Sequence, residues 1–208
     1  MNKVCLIYSG GMDSTTLMYD LKAQGNQVVA LSFDYGQRHR RELESAAQIC
    51  LLTGTEHHIL GLPPLPGSAL TGNGDVPHGH YAEESMKQTV VPNRNMVMLA
   101  HAAAFAIANG IGSVAYAAHA GDHTIYPDCR PEFVEAMNVA FGLCDWNPVR
   151  LLAPYLLLTK GQIAARGKSL GVPFDLTWTC YEGGDEPCGR CGSCVERLEA
   201  LEIGRAHV

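Results

Sequence analysis

Lys3-Val4-Cys5-Leu6-Ile7-Tyr8, then Ser9-Gly10-Gly11-Met12-Asp13-Ser14, then Ser14 to Gln24 with Leu17, Met18 and Leu21 at helical spacing: this opening decides the fold. The first run is short and almost continuously apolar, which predicts a strand buried on both faces in a parallel sheet. Gly25 closes the following helix as a C-cap. Between them, the Gly-Gly pair lets the backbone turn sharply and brings N–H groups toward an anion. The helix behind adds unpaired N–H groups and the positive end of its dipole. Ser9 and Ser14 contribute hydroxyl donors, and Asp13 either caps the helix or holds the Mg²⁺ that accompanies a nucleotide. The competing reading is a plain strand-to-helix turn with Asp-Ser as its cap; anion binding is preferred because strand, loop and helix all fall where it needs them.

Working outward, Gln27 to Phe33 reads as a second strand, Glu42 to Thr53 as a helix with Leu43, Ala46, Ala47 and Cys50 on one face, and Thr55 to Leu60 as a third strand. Strand and helix alternating over sixty residues predict a doubly wound, mainly parallel α/β sheet. Gly61 to Val91 breaks the rhythm with prolines 63, 64, 66 and 77 and five glycines, so it is expected to be a substrate loop or mobile lid. Pro92 introduces a helix over Asn93 to Asn109, Gly112 to Ala118 is a further strand, and Pro131 to Phe141 a further helix. Thr159-Lys160-Gly161-Gln162 is a capping box opening a helix over Gln162 to Leu170, with Gly171 as C-cap. That helix contains Gly167-Lys168-Ser169, which therefore is not a phosphate loop of the Walker type. Val195 to Leu201 reads as a last short helix. Two regions result: a catalytic domain over 1–176 and a tail over 177–208.

The 208 residues are 47% hydrophobic and 17% charged, with a formal net charge of −6. That balance fits a globular chain and opposes long-range attraction to nucleic acid or an anionic membrane, although Arg38, Arg40 and Arg41 form a local basic group. The apolar run at Val4 to Tyr8 is too short for a signal sequence and nothing approaches a membrane span, so a cytoplasmic location is expected. Four of the eight cysteines crowd together as Cys180, Cys188, Cys191 and Cys194, while Cys5 and Cys50 sit in apolar runs as core thiols. Two-residue spacings with glycines 189 and 192 form knuckles, and four thiolates suit one tetrahedral, structural Zn²⁺. An iron–sulfur cluster and a redox dithiol at Cys188 and Cys191 are the rivals. His57-His58 and the His78, His80 pair have no carboxylate at ligand spacing and are read as non-metal.

The loop SGGMDS after a first strand resembles the PP-loop of the ATP pyrophosphatases, a Rossmann-like adenine nucleotide fold. Further segments narrow the resemblance: Phe33-Asp34-Tyr35-Gly36-Gln37-Arg38, Val90-Val91-Pro92-Asn93-Arg94-Asn95, Gly121-Asp122-His123, Tyr126 to Phe133, Thr159-Lys160 and Thr179-Cys180-Tyr181. Together, from residue 3 to about 200, they resemble the 7-cyano-7-deazaguanine synthase (QueC) family; Ile203 to Val208 carry no motif. The resemblance implies a ligase, commonly a homodimer with one zinc per subunit, that works in queuosine biosynthesis. ATP activates the carboxylate of 7-carboxy-7-deazaguanine, ammonia gives an amide, and a second ATP converts the amide to the nitrile preQ0.

On that resemblance ATP and Mg²⁺ lie along Tyr8, Ser9, Gly10, Gly11, Met12, Asp13, Ser14, Thr15, Thr16, Leu17 and Met18, with Ser9, Asp13, Ser14 and Arg94 catalytic. Asn93, Arg94, Asp122, Tyr126, Asp128 and Arg130 are the substrate candidates. Asp122 or Asp128 would meet the guanidine-like edge, Arg94 or Arg130 the 7-carboxylate, and Tyr126 would stack on the ring. Equally, Asp128 could be a turn or cap residue and Arg94 a helix-start ion pair. A PP-loop argues for release of AMP and pyrophosphate, and free ammonia is the default in a chain without a glutaminase segment. Rival functions are a PP-loop tRNA-modifying enzyme, which the acidic charge disfavours, and a nucleotide-binding sensor, which the cysteine knuckle and long loop disfavour.

Overall fold

The computed structural model describes residues 2–72, 74–79 and 86–206. Five parallel strands form one sheet in the order β3-β2-β1-β4-β5: β1 (Lys3–Ile7), β2 (Gln27–Asp34), β3 (Glu56–Gly61), β4 (Ser113–Ala115) and β5 (Arg150–Leu152). The chain winds outward in one direction from β1 to β3 and in the other from β4 to β5. The order therefore reverses between β1 and β4, and a crevice opens beyond their carboxyl ends. The strand at Arg150–Leu152 was not foreseen, and β4 is shorter than the expected Gly112 to Ala118.

Side chains of the central strands alternate between two cores, as a sheet covered on both faces requires. Cys5, Val29, Leu31, Phe33 and Val114 face α3 (Arg94–Ala108) and α4 (Pro131–Leu143). Val4, Leu6, Val28, Ala30 and Ala115 face α1 (Met12–Ala23), α2 (Arg41–Thr53) and α5 (Lys160–Ser169). Cys5 and Cys50 are buried in these cores. On the second face a buried carboxylate ties two helices: Arg166 donates to Asp20 at 2.6 and 3.1 Å, and the Tyr155 hydroxyl adds a bond at 3.2 Å.

The last helix, α6 (Gly192–Ala206), lies against α5. Close packing there depends on small residues: a Cβ on Gly161 would stand 2.7 Å from Ile203 Cγ2. Gly167 is similarly closed in, by Phe174 and Thr16, which agrees with its helical reading. Thr159 accepts from Gln162 N while Gln162 accepts from Thr159 N, the predicted capping box.

The aperiodic segment 61–91 is tied down where it is described. Ala69 N donates to Gln88 O at 2.9 Å, Arg38 N to Leu70 O at 2.9 Å, and Gly79 N to Arg190 O at 2.8 Å. Met86 and Val91 are buried in the first core. Residue 73 and residues 80–85, including His80 of the histidine pair, lie outside the described residues, as does Val208 at the end of the tail. Among the described residues no helix is long and apolar enough to cross a membrane.

Candidate active site

A cavity of about 250 Å³ occupies the crevice beyond β1 and β4. One wall is the glycine-rich loop between β1 and α1. β1 ends at Ile7, and Tyr8, Ser9, Gly11, Met12, Asp13 and Ser14 line the cavity. The helix begins earlier than its apolar spacing implied. Gly11 is the N-cap, with extended backbone and no side-chain cap, and Asp13 and Ser14 lie inside the first turn. Asp13 is therefore not a capping residue here; its carboxylate is left for the cavity. The two hydroxyls of the loop meet, Ser9 Oγ to Ser14 Oγ at 3.0 Å, and Gly11 N donates to Ser9 Oγ at 3.2 Å.

Gly10 makes this turn possible. Its φ is +75°, and a Cβ there would stand 2.6 Å from both Ala46 N and Glu42 O in the backbone of α2. The loop thus rests directly on α2, held from the other side by Trp178 N donating to Gly10 O at 3.0 Å. Thr15, Thr16, Leu17 and Met18 are fully buried behind the loop, outside the cavity wall. Thr15 Oγ1 bonds the Tyr8 hydroxyl at 3.1 Å and Thr16 Oγ1 donates to Met12 O at 2.9 Å, so they brace the loop from within the core.

The opposite wall comes from β4 and the turn after it: Tyr116, Ala117, Ala118, His119 and Asp122. His119 is buried. Gly121 N donates to its Nδ1 at 3.1 Å, so the neutral ring carries its proton on Nε2. That nitrogen faces Asp122 Oδ2 at 3.5 Å and Asp13 Oδ2 at 3.8 Å. Lys160, first residue of α5, reaches the same carboxylate: its Nζ lies 3.5 Å from Asp13 Oδ2 and 2.6 Å from Glu196 Oε2. Burial opposes its charge, but Asp13 and Glu196 outweigh it and hold the lysine above its ordinary pKa. Asp13 Oδ1, by contrast, is buried with no hydrogen-bond partner among the described residues. An orphaned carboxylate oxygen beside a phosphate loop fits a Mg²⁺ ligand.

Lys160, His119 and Glu196 were absent from the expected site. Lys160 appeared in a helix-capping pattern and among the segments of the resemblance without a site role, and Glu196 only in a short helix after the cysteines. No local spacing relates either to Asp13; the packing of α5 and α6 beside α1 brings them there.

The substrate candidates divide. Arg94, Asp122 and Tyr126 line the cavity; Asn93, Asp128 and Arg130 do not. Arg94 opens α3 after Asn93, which at φ 59° is the only described non-glycine residue with positive φ. Its guanidinium is 5.9 Å from the centre of the Tyr35 ring and 3.4 Å from the Tyr35 hydroxyl. Asp128 accepts from Asn95 N at 3.1 Å at the start of α3, a structural bond of the cap type. Arg130 is exposed and donates to His123 O at 2.7 Å. The Tyr126 hydroxyl bonds Thr89 Oγ1 at 2.9 Å. Glu42, Tyr35 and Tyr181 complete this end of the cavity. Among the described residues of segment 61–91, none lines it.

Beside the cavity, the sulfurs of Cys180, Cys188, Cys191 and Cys194 all lie within 4.8 Å of one another. A tetrahedral ion with Zn–S bonds near 2.3 Å sets sulfurs about 3.8 Å apart, so a small contraction completes the site. The knuckle is less apolar-poor than its composition suggests, because Val76 and Trp178 pack on the cysteines. His78 pairs with Glu182 at 2.8 Å and forms an antiparallel bridge with Cys191. Cys194 lies in the first turn of α6, whose Ser193 and Glu196 line the cavity.

Residues 3–204 match the family model described as "Queuosine biosynthesis protein QueC". A curated relative from Methanoregula boonei, named 7-cyano-7-deazaguanine synthase, is 57% identical, covering 98% of this chain and 96% of the relative. One of the same name from Marinobacter nauticus is 53% identical, with coverages of 96% and 92%. Among solved structures, NMN synthetase from Francisella tularensis superposes with a TM-score of 0.56 at 16% identity, covering 99% of this chain and 76% of that one. A 4-thiouridine synthetase, solved with RNA and bound ATP, gives a TM-score of 0.54 at 18% identity, with coverages of 99% and 53%. At such identities these two structures establish the shared fold.

Proposed function

Since this chain belongs to the QueC family of queuosine biosynthesis proteins, and its relatives are enzymes, we propose that it is an ATP-dependent ligase converting 7-carboxy-7-deazaguanine and ammonia to 7-cyano-7-deazaguanine. The observation that carries the reading is one cavity at the sheet's switch point holding both the SGGMDS loop and the separate cations Lys160 and Arg94. Two anionic substrates need two such centres.

In this reading the loop N–H groups, the Ser9 and Ser14 hydroxyls and Lys160 hold the β- and γ-phosphates. Asp13, whose Oδ1 has no partner among the described residues, would hold Mg²⁺, which would supply neutralising positive charge. Arg94 orients the 7-carboxylate. A carboxylate oxygen attacks the α-phosphorus and pyrophosphate departs, leaving an acyl adenylate. Ammonia adds to the acyl carbon and AMP leaves, giving the amide and releasing a proton. The amide oxygen attacks a second ATP with loss of pyrophosphate. Loss of the remaining nitrogen protons and of AMP then forms the C≡N bond.

The four cysteines take a single structural Zn²⁺. Four protein thiolates leave no position for water, so the ion's chemistry is to fix the knuckle. The compact sulfur spacing favours one ion over a multi-iron cluster, whose ligands must surround several atoms.

The deciding experiment is mass spectrometry of the reaction with carboxydeazaguanine, ammonium and Mg-ATP, wild type beside Lys160→Met. The wild type gives the nitrile with AMP and pyrophosphate, and the variant loses roughly 100-fold or more in turnover. Unchanged acid after incubation of wild type overturns the reading; ADP and phosphate as products overturn the adenylation step.

A further inference from the structure

Among the described residues four carboxylates line the cavity: Asp13, Glu42, Asp122 and Glu196. Three are engaged. Asp13 faces Lys160 and His119, Glu196 is bonded to Lys160 at 2.6 Å, and Asp122 faces His119 Nε2 and accepts from His119 N at 3.4 Å. Glu42, in the first turn of α2, differs: among the described residues its carboxylate has no hydrogen bond and no ion pair.

Its surroundings show why this matters. Arg94 is near enough to favour the ionised form, yet burial dominates and pushes the Glu42 carboxyl up to about 7. The two opposite charges share a cavity without touching. Half-buried carboxylates left without donors are costly, and a ligand that brings donors removes the cost. The cavity wall on this side is aromatic, with Tyr35, Tyr126 and Tyr181, which suits a flat heterocycle.

We propose that Glu42 is the residue that reads the ring of the substrate, accepting paired hydrogen bonds from the N1–H and 2-amino group of the 7-deazaguanine while Arg94 holds its 7-carboxylate. A carboxylate offers two parallel acceptors and that edge offers two parallel donors. The assignment displaces Asp128, whose carboxylate is occupied at the start of α3, and Asp122, which is tied to His119. It rests on the substrate class proposed above. Its consequence is selectivity: a ring lacking the 2-amino group leaves the Glu42 carboxylate underbonded, and a site built for hydrogen bonds rejects such analogues strongly.

The test compares Glu42→Gln with wild type by calorimetry. The probes are 7-carboxy-7-deazaguanine, its analogue lacking the 2-amino group, and Mg-ATP as a control for a folded site. Wild type prefers the guanine-type acid by about 100-fold; Glu42→Gln binds both acids weakly, within a few-fold of each other, with ATP affinity kept within about twofold. Undiminished discrimination by the variant overturns the role of Glu42 while leaving the substrate assignment standing. A variant that binds the acid normally but turns over slowly makes Glu42 a proton-transfer group and also overturns the proposal. Wild type that binds neither acid overturns both readings.

Discussion

Gly10 and Gly25 share a left-handed backbone, φ +75° and +82°, but not a neighbourhood. A Cβ on Gly25 meets nothing within 4 Å, whereas a Cβ on Gly10 meets Ala46 N and Glu42 O at 2.6 Å. Both contacts are backbone atoms of α2, which cannot swing aside as a side chain would. Gly25→Ala should cost about 1–2 kcal/mol, the penalty for forcing an L-residue into this region. Gly10→Ala carries the same penalty plus about 1–3 kcal/mol of overpacking, for a total of roughly 2–5 kcal/mol. The clash also pushes the loop off α2, so Gly10→Ala should weaken ATP binding while Gly25→Ala should not. Urea unfolding read by circular dichroism gives the stabilities, and titration with Mg-ATP gives the affinities. Equal destabilisation by the two substitutions, or intact nucleotide binding by Gly10→Ala, would refute the claim that α2 is the seat of the loop.

Cys191→Ser should lower bound zinc and stability together, by about 3 kcal/mol or more, measured by elemental analysis and thermal melting; full zinc content in the variant would contradict the four-thiolate site. Glu42 makes a pH prediction. Its folded-state pKa is raised from 4.5 to about 7, so the stability linked to its proton is complete below 4.5 and lost as pH rises through about 7. Glu42→Gln should therefore gain on wild type across that interval, by about 1–2 kcal/mol once the water in the cavity is allowed for. Parallel stability curves for the two proteins from pH 4.5 to 7.5 would contradict it.

The strand, turn and helix around Ser9 to Ser14 were legible because everything that defines them is local: an apolar run, two glycines, a helical spacing. The same holds for the cysteine knuckle and for the capping box at Thr159. β5 was not legible. Its three residues pair with β4 alone and sit in the run Arg150-Leu151-Leu152-Ala153-Pro154-Tyr155, which has no strand period. Nor could local pattern expose Glu42, His119, Lys160 or Glu196, since each looks like an ordinary helix or turn residue until the winding of the sheet gathers them. Asp128 illustrates the reverse: chemically plausible as a ligand, it is spent on α3.

The cavity joins the two extremes of the described chain. Tyr8 to Ser14 form one wall, while Trp178, Thr179, Tyr181, Ser193 and Glu196 come from beyond the last strand. Synthesis proceeds from the amino end, so every strand of the sheet exists before any of those five residues does. Until they arrive, the Gly10 carbonyl lacks the Trp178 N–H and Lys160 lacks Glu196. A growing or prematurely terminated chain can thus own a finished sheet and still lack the groups that brace the loop and its lysine. The loop and its lysine are therefore completed only once residues 178–196 have been added, after every strand of the sheet has been made.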